Sequence, residues 1–231
     1  MATVRDELEH FGCVLARRGE RVFCECCGNT SLRFVAFGSP PRPAARCPHC
    51  GALERHRTLW PHIRDSLRPG TRVVHFAPEP ILASNIERLP GVIYTAADLE
   101  PSSAGLASDI EIVAADITDQ PWPDASFDVA VVSHVLEHVP DDLAAMRELR
   151  RVITPEGVVF SHHPFDARRE HTFEDPDVVT PAERLRVFGQ DDHVRIFGRD
   201  LPARWTAAGF DVEDLGEGAL AARPTPGSGP V

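Results

Sequence analysis

The chain has 231 residues, enough for one sizeable α/β core and a small appended module, and its formal net charge is −11. A body this acidic disfavours a long polyanion lying across the whole protein. No stretch reaches the ~18 apolar residues needed to span a bilayer, and the acids Asp6, Glu7 and Glu9 stand where a secretory leader needs a basic start, so no membrane partner and a cytoplasmic location are expected.

The charge is unevenly placed. Residues 14–68 hold ten Arg against four acids, whereas residues 69–231 hold thirteen Arg against 28 acids. A smaller anionic partner therefore stays open for the N-terminal part. All 24 basic residues are Arg, which a GC-rich coding bias explains without a guanidinium-specific function.

In chain order, Val4, Leu8, Phe11 and Leu15 recur at helical spacing and predict an amphipathic N-terminal helix. Two knuckles follow, Cys24-Glu25-Cys26-Cys27-Gly28 and Cys47-Pro48-His49-Cys50-Gly51. Paired thiols with two residues between them, each pair followed by a Gly that eases a tight turn, suit a tetrahedral zinc ribbon over about residues 21–51. Cys24, Cys27, Cys47 and Cys50 are the expected ligands, and four thiolates leave no open position, so this Zn2+ is expected to be structural. Two disulfides are the alternative, which a cytosolic setting disfavours. Cys13 and Cys26 fit no second pair, with Cys26 the one substitute ligand. Arg42, Arg46, Arg55 and Arg57 could meet phosphates, or simply form a solvated face.

A helix is expected over Leu53–Leu67, kinked or divided by Pro61, and Pro69-Gly70 marks a turn and the domain boundary. Beyond it, strand and helix patterns alternate. Arg72–Phe76, Val92–Ala96, Ile110–Ala114, Phe127–Val132 and Val158–His162 read as buried parallel strands, with helices near Ile81–Leu89 and Asp141–Val152. A helix over Leu201–Ala208 precedes a late strand, Phe210–Leu215, and the Pro-, Gly- and Ser-rich residues 218–231 read as a disordered tail. Acidic residues Asp98 and Asp116 at strand ends, followed by the run Phe127–His138 read as a buried strand and a helix start, fit a nucleoside-binding α/β domain. In such open sheets ligands bind outside the carboxyl ends of the strands.

The order of Val73-Val74-His75-Phe76, Asp98-Leu99, Asp116-Ile117, Phe127-Asp128, His134-Val135-Leu136-Glu137-His138 and Leu149–Gly157 resembles class I S-adenosylmethionine-dependent methyltransferases of the type 11 kind, over about residues 70–217. More narrowly, Leu53–Arg57, His75–Glu79 and Phe188–Arg195 resemble a bacterial subgroup with an N-terminal zinc ribbon. The implied fold is a Rossmann-like, doubly wound, mostly parallel seven-stranded sheet behind a small ribbon module of residues 1–69.

That resemblance implies an S-adenosylmethionine site. Asp98 would accept the ribose hydroxyls with Leu99 beside it, Asp116 would accept the adenine amino group with Ile117 under the ring, and Ser133 and His134 would line the methionine and methyl. His75, Ala77 and Glu79 would border the cofactor from the first strand and its turn, Glu79 meeting the methionine ammonium. The family usually has a Gly-rich turn there, whereas this chain has Ala77-Pro78-Glu79-Pro80. Pro stiffens the turn and the missing Gly removes room for close approach, so an altered cofactor site is the alternative.

Read on a helix, His134, Glu137 and His138 would share one face and could hold a second divalent metal, with His162 or His163 adding a ligand. The polar insert of about residues 164–200 is the expected lid. Within it His193 is the expected general base, oriented by Asp192, with His134 the second candidate; the bland alternative is that His193 and Arg195 tie the lid to the body. The expected reaction is methyl transfer to an oxygen or nitrogen of a small-molecule acceptor. An RNA methyltransferase reading nucleic acid through the ribbon, a non-catalytic binder, and other chemistry on the bound cofactor are the alternatives.

Overall fold

The computed structural model describes residues 21–101, 110–216 and 218–227, and the chain divides into two compact units, Met1–Asp65 and Ser66–Val231. The expected N-terminal helix and Cys13 lie outside the described residues.

In the first unit, two short hairpins precede a helix. β1 (Val22–Phe23) pairs with β2 (Thr30–Ser31), and β3 (Val35–Phe37) with β4 (Arg42–Arg46), both antiparallel. The helix α1 (Glu54–Ser66) runs unbroken through Pro61. Its buried residues His56, Leu59, Trp60 and Ile63 recur at the i, i+3, i+4, i+7 spacing of one apolar face. That face supplies packing enough to hold the helix despite the lost Pro61 hydrogen bond.

The second unit is built on a seven-stranded sheet. Its strands are β5 (Arg72–Phe76), β6 (Ile93–Asp98), β7 (Ile112–Ala114), β8 (Phe127–Ser133), β9 (Ile153–His162), β12 (Phe210–Gly216) and β13 (Ala219–Pro224). The order across the sheet is β12-β13-β9-β8-β5-β6-β7, parallel from β9 to β7, with β13 antiparallel to both of its neighbours. α2 (Pro80–Glu87) packs on β6, α3 (Asp142–Val152) on β9, and α5 (Leu201–Ala207) on β12 and α3. Val74, Phe76, Ala130, Val132, Met146, Leu149, Trp205 and Phe210 belong to one buried cluster. The chain goes from β5 to β6 and β7 on one side, then returns to β8 on the other, which puts the topological switch point between β5 and β8.

Two expectations change. Residues 219–224 are not a tail: β13 lies between β9 and β12, with Ala219, Leu220, Ala221 and Ala222 all buried. Small apolar residues suit a slot flanked on both sides, a context that local composition does not display. The stretch after β8 is also not a helix start. His134 has φ +55, which ends the strand in a turn over residues 136–138, and α3 begins only at Asp142, capped by Asp141, whose side chain accepts from Ala144 N at 2.9 Å.

Within the insert between β9 and α5, β10 (Phe173–Glu174) pairs with β11 (Arg195–Ile196) and brackets α4 (Pro181–Phe188). α4 starts with a capping box, Thr180 and Glu183 exchanging side-chain and backbone hydrogen bonds. The buried Arg195 guanidinium donates to the carbonyls of Leu136, Val139 and Pro140, and to Glu174 at 3.0 Å. The insert is thereby fastened to the loop after β8.

Candidate active site and cysteine centre

The two cysteine knuckles fold alike. Gly28 N donates to Cys24 O at 2.8 Å and Gly51 N to Cys47 O at 3.0 Å, each Gly at positive φ where a side chain would be strained. They bring four thiols together: Sγ of Cys24 lies 3.8 Å from that of Cys50, and Sγ of Cys27 lies 3.9 Å from that of Cys47. Sulfurs in a disulfide stand ~2.05 Å apart, whereas four sulfurs at ~2.3 Å from one tetrahedral cation stand roughly 3.8 Å apart. All four thiols are free, and Cys26 is buried beside them. Hydrogen bonding to Cys26 and burial push the Cys24 thiol up to about 12, and hydrogen bonding to Cys24 and burial do the same to Cys47. A divalent cation reverses that balance by favouring the thiolates.

The arginines of this unit are largely occupied. Arg42 pairs with Glu54 at 3.2 Å, and Arg57 donates to Ala45 O and Ala52 O while stacking 3.8 Å over the Phe34 ring.

At the carboxyl ends of the parallel strands a cleft of about 800 Å³ opens, within the range of roughly 300–1,000 Å³ typical of small-molecule sites. Phe76 and Ala77 after β5, Asp98 and Leu99 after β6, Asp116 and Ile117 after β7, and His134 after β8 all line it. Each acidic strand end caps its own turn with one oxygen. Asp98 Oδ1 accepts from Glu100 N at 2.8 Å, and Asp116 Oδ1 accepts from Thr118 N at 2.8 Å and Thr118 Oγ1 at 2.7 Å. Among the described residues, neither Oδ2 makes a hydrogen bond. The capping role and the ligand role are thus compatible in one carboxylate.

The turn after β5 resolves the missing glycine. Ala77 itself takes φ +44, a conformation that Gly favours, at a cost of about 1–2 kcal/mol. Pro80 occupies the first turn of α2, where its fixed φ suits the helix and its absent N–H loses nothing. Glu79 is the N-cap residue of α2 and does not line the cleft.

Two further expected contacts are not part of the cleft wall. His75 is buried on the sheet, its Nδ1 3.0 Å from the Tyr94 hydroxyl, because side chains alternate along a strand and Phe76 takes the cleft-facing place. Ser133 is buried at the end of β8, and its Oγ has no hydrogen-bond partner among the described residues.

The His and Glu side chains after β8 form a compact group. His134 Nδ1 lies 3.0 Å from Glu137 Oε1, and its ring stacks on His162 with centroids 5.3 Å apart. His163 Nδ1 lies 3.3 Å from Glu137 Oε2. Burial pushes the Glu137 carboxyl up, but His134 and His163 outweigh it and hold the group well below the usual carboxylate range. His138 pairs with Asp192 at 3.2 Å. His193 is buried, edge-on to His138 with centroids 4.7 Å apart, and is absent from the cleft wall, whereas His134, His138 and Asp192 line it. Asp192 therefore orients His138, not its neighbour His193. Burial lowers the basicity of His193. The insert is tied to the loop after β8 by Val194, whose N donates to Glu137 O at 2.9 Å, and by Arg195. Arg184, which also lines the cleft, was missed, although the Thr180-Pro181-Ala182-Glu183 cap signals the helix that carries it.

Comparison with known proteins agrees with this architecture. Demethylmenaquinone methyltransferases of Mycobacterium sp. strains KMS and JLS are 35% and 34% identical over 91 residues, which is 38% of this chain. The chain spans about two-fifths of the length of these curated relatives, 40% of each. Among solved structures, the [4+2]-cyclase SpnF superposes with a TM-score of 0.54 at 19% identity, over 70% of this chain and 61% of that one. The YcgJ protein of Bacillus subtilis superposes with a TM-score of 0.54 at 22% identity, over 70% of this chain and 71% of that one. Residues 81–161 match the family described as a methyltransferase domain. That matched segment lies within the unit Ser66–Val231 and runs from α2 into β9, through strands whose carboxyl ends form the cleft.

Proposed function

We propose that the chain transfers a methyl group from S-adenosylmethionine to an oxygen or nitrogen of a small-molecule acceptor. The observation that carries this reading is the pair of strand-end carboxylates, Asp98 and Asp116, on one cleft at the switch point, each with an oxygen left for a ligand. Asp98 would take the ribose hydroxyls and Asp116 the adenine amino group, with Leu99 and Ile117 against the ring. The positive φ of Ala77 supports the reading, since it lets backbone approach a ligand where the family usually relies on Gly. Bound there, S-adenosylmethionine would supply an already activated methyl group, so alignment and proton removal are what the protein adds.

Proton removal is assigned to His134. It lines the cleft at the end of β8, and the buried Glu137 carboxylate holds its Nδ1, which leaves Nε2 to take a proton. In the first unit, Cys24, Cys27, Cys47 and Cys50 are assigned one structural Zn2+, on the strength of their sulfur spacing. A small acceptor is favoured over RNA because Arg42 and Arg57 are spent inside their own unit and the body is acidic. The second reading is non-methylating chemistry: a [4+2]-cyclase shares this fold, so the fold alone does not select methyl transfer. Calorimetric titration with S-adenosylmethionine and its demethylated product, on the full chain and on Asp98→Ala and Asp116→Ala, tests the proposal. Binding unaffected by either substitution overturns it.

A further inference from the structure

One polar cluster is left over by the cofactor assignment: Glu137, His138 and His193. One ligand atom from each lies within 4.8 Å of the other two. Donors on a common cation at ~2.1 Å stand roughly 3–3.5 Å apart, so small side-chain rotations close the set. We propose that these three residues bind a second divalent transition-metal ion, distinct from the tetrathiolate centre, with open coordination positions on the cleft side.

Three independent features support the site. First, its donors are available although buried: His193 is 3% exposed, and its Nε2 has no hydrogen-bond partner among the described residues. A buried imidazole nitrogen left unsatisfied is costly unless something meets it. Glu137 is fully buried, and although Oε1 faces His134 and Oε2 faces His163, each carboxylate oxygen keeps a second lone pair.

Second, the outer partners are those a metal site needs. His138 Nδ1 is 3.2 Å from Asp192 Oδ2, which leaves Nε2 for a cation and fixes the ring by a carboxylate–histidine pair. His163 holds the Glu137 carboxylate in the same manner. Third, the charge balances. Glu137 and Asp192 bring two negative charges to a site with no Arg in the ligand set, since the neighbouring Arg195 is directed to the carbonyls of Leu136, Val139 and Pro140.

Two imidazoles and one carboxylate suit zinc, cobalt, iron or manganese better than magnesium or calcium, which prefer all-oxygen shells. Three protein ligands leave at least one position for water or substrate. His138 lines the cleft, so that position is reachable from it. On the methyl-transfer reading, the acceptor would then carry an oxygen donor next to the methylated atom and bind the cation through it.

The test adds Co2+ to the full chain whose thiolates are already loaded with zinc. One further equivalent should bind, giving visible d–d absorption without the near-ultraviolet charge-transfer band of thiolate ligation. His138→Ala and His193→Ala should each weaken it more than tenfold, and Asp192→Asn about tenfold or more. Acetohydroxamate, a bidentate oxygen ligand, should shift the visible band. No second equivalent, or one that keeps its affinity in His138→Ala, overturns the proposal; an unshifted band overturns its open position. His138 is one-third exposed, so its variant decides even if His193→Ala does not fold. S-Adenosylmethionine titration of the same samples separates the two readings. Cobalt bound without cofactor binding sinks the transferase reading alone, and the reverse sinks the metal site alone.

Discussion

His134 Nδ1 stands 3.0 Å from Glu137 Oε1, so a carboxylate almost wholly removed from solvent holds an imidazole in place on the cleft wall. A residue at φ +55 and its neighbour three positions on thus act as one unit. His134→Ala should lower turnover about 10²–10⁴-fold with S-adenosylmethionine affinity nearly unchanged. Single-turnover rates and calorimetry on one preparation would check this. A cofactor affinity that collapses together with turnover would assign His134 to cofactor binding instead.

Asp98→Ala and Asp116→Ala each remove a charged acceptor from the proposed cofactor site. Each should cost about 1.5–3 kcal/mol of S-adenosylmethionine affinity. The lost carboxylates also cap local turns, so thermal melting of the unliganded variants is needed beside the titration. A weaker affinity that tracks a lower melting temperature would point to turn capping alone.

Ala77→Gly should stabilise the protein. The side chain at φ +44 costs about 1–2 kcal/mol, and Gly gives back roughly 0.5–1 kcal/mol through its freer unfolded state, so a net gain of about 0.5–1 kcal/mol is expected. Denaturant unfolding reads it directly. A clearly less stable variant would show that the Ala77 methyl packs usefully.

Chelation should release one zinc per chain from the cysteine cluster and loosen the first unit while the sheet stays folded, because the two units have separate cores. Cys47→Ser should do the same. Proteolysis within residues 21–65, with the sheet intact by circular dichroism, is the expected pattern; a freshly purified chain without zinc contradicts it.

The Arg72 guanidinium, 2.8 Å from Asp128, holds that carboxyl below the usual carboxylate range. A depressed folded value gives stability that is full above the unfolded value of ~3.9 and fades as pH falls through the folded one. The pair is over one-third exposed, so about 1 kcal/mol is an upper bound. Asp128→Asn should therefore be slightly less stable at neutral pH and converge on the wild type as pH falls through the depressed folded value. A stability gap that persists in acid would assign the effect to lost hydrogen bonding.

The parallel strands were legible because Val73-Val74 and Val129–Val132 are buried on both faces and read as continuous apolar runs. The knuckles were legible because Gly at fixed offsets from paired cysteines reports a turn. Other features depend on neighbours far along the chain. Ala219–Ala222 becomes a strand only because β9 and β12 flank it, and Ala is a weak strand former alone. His193 sits in a polar run that looks solvent-facing, yet Val194 N bonds Glu137 O and Arg195 caps three carbonyls, which draws the segment inward. The left-handed backbone of Ala77 and His134 is likewise set by the fold, since residues other than Gly take it uncommonly.

The place of β13 also governs the order of assembly. β12 is made first but reaches the sheet only through β13, so during synthesis the β9 edge stays bare until residues 219–224 have left the ribosome. Until then it offers a row of unpaired amides and carbonyls to any passing strand. A chain stalled before residue 219 would hold most of its apolar core yet remain a template for aggregation.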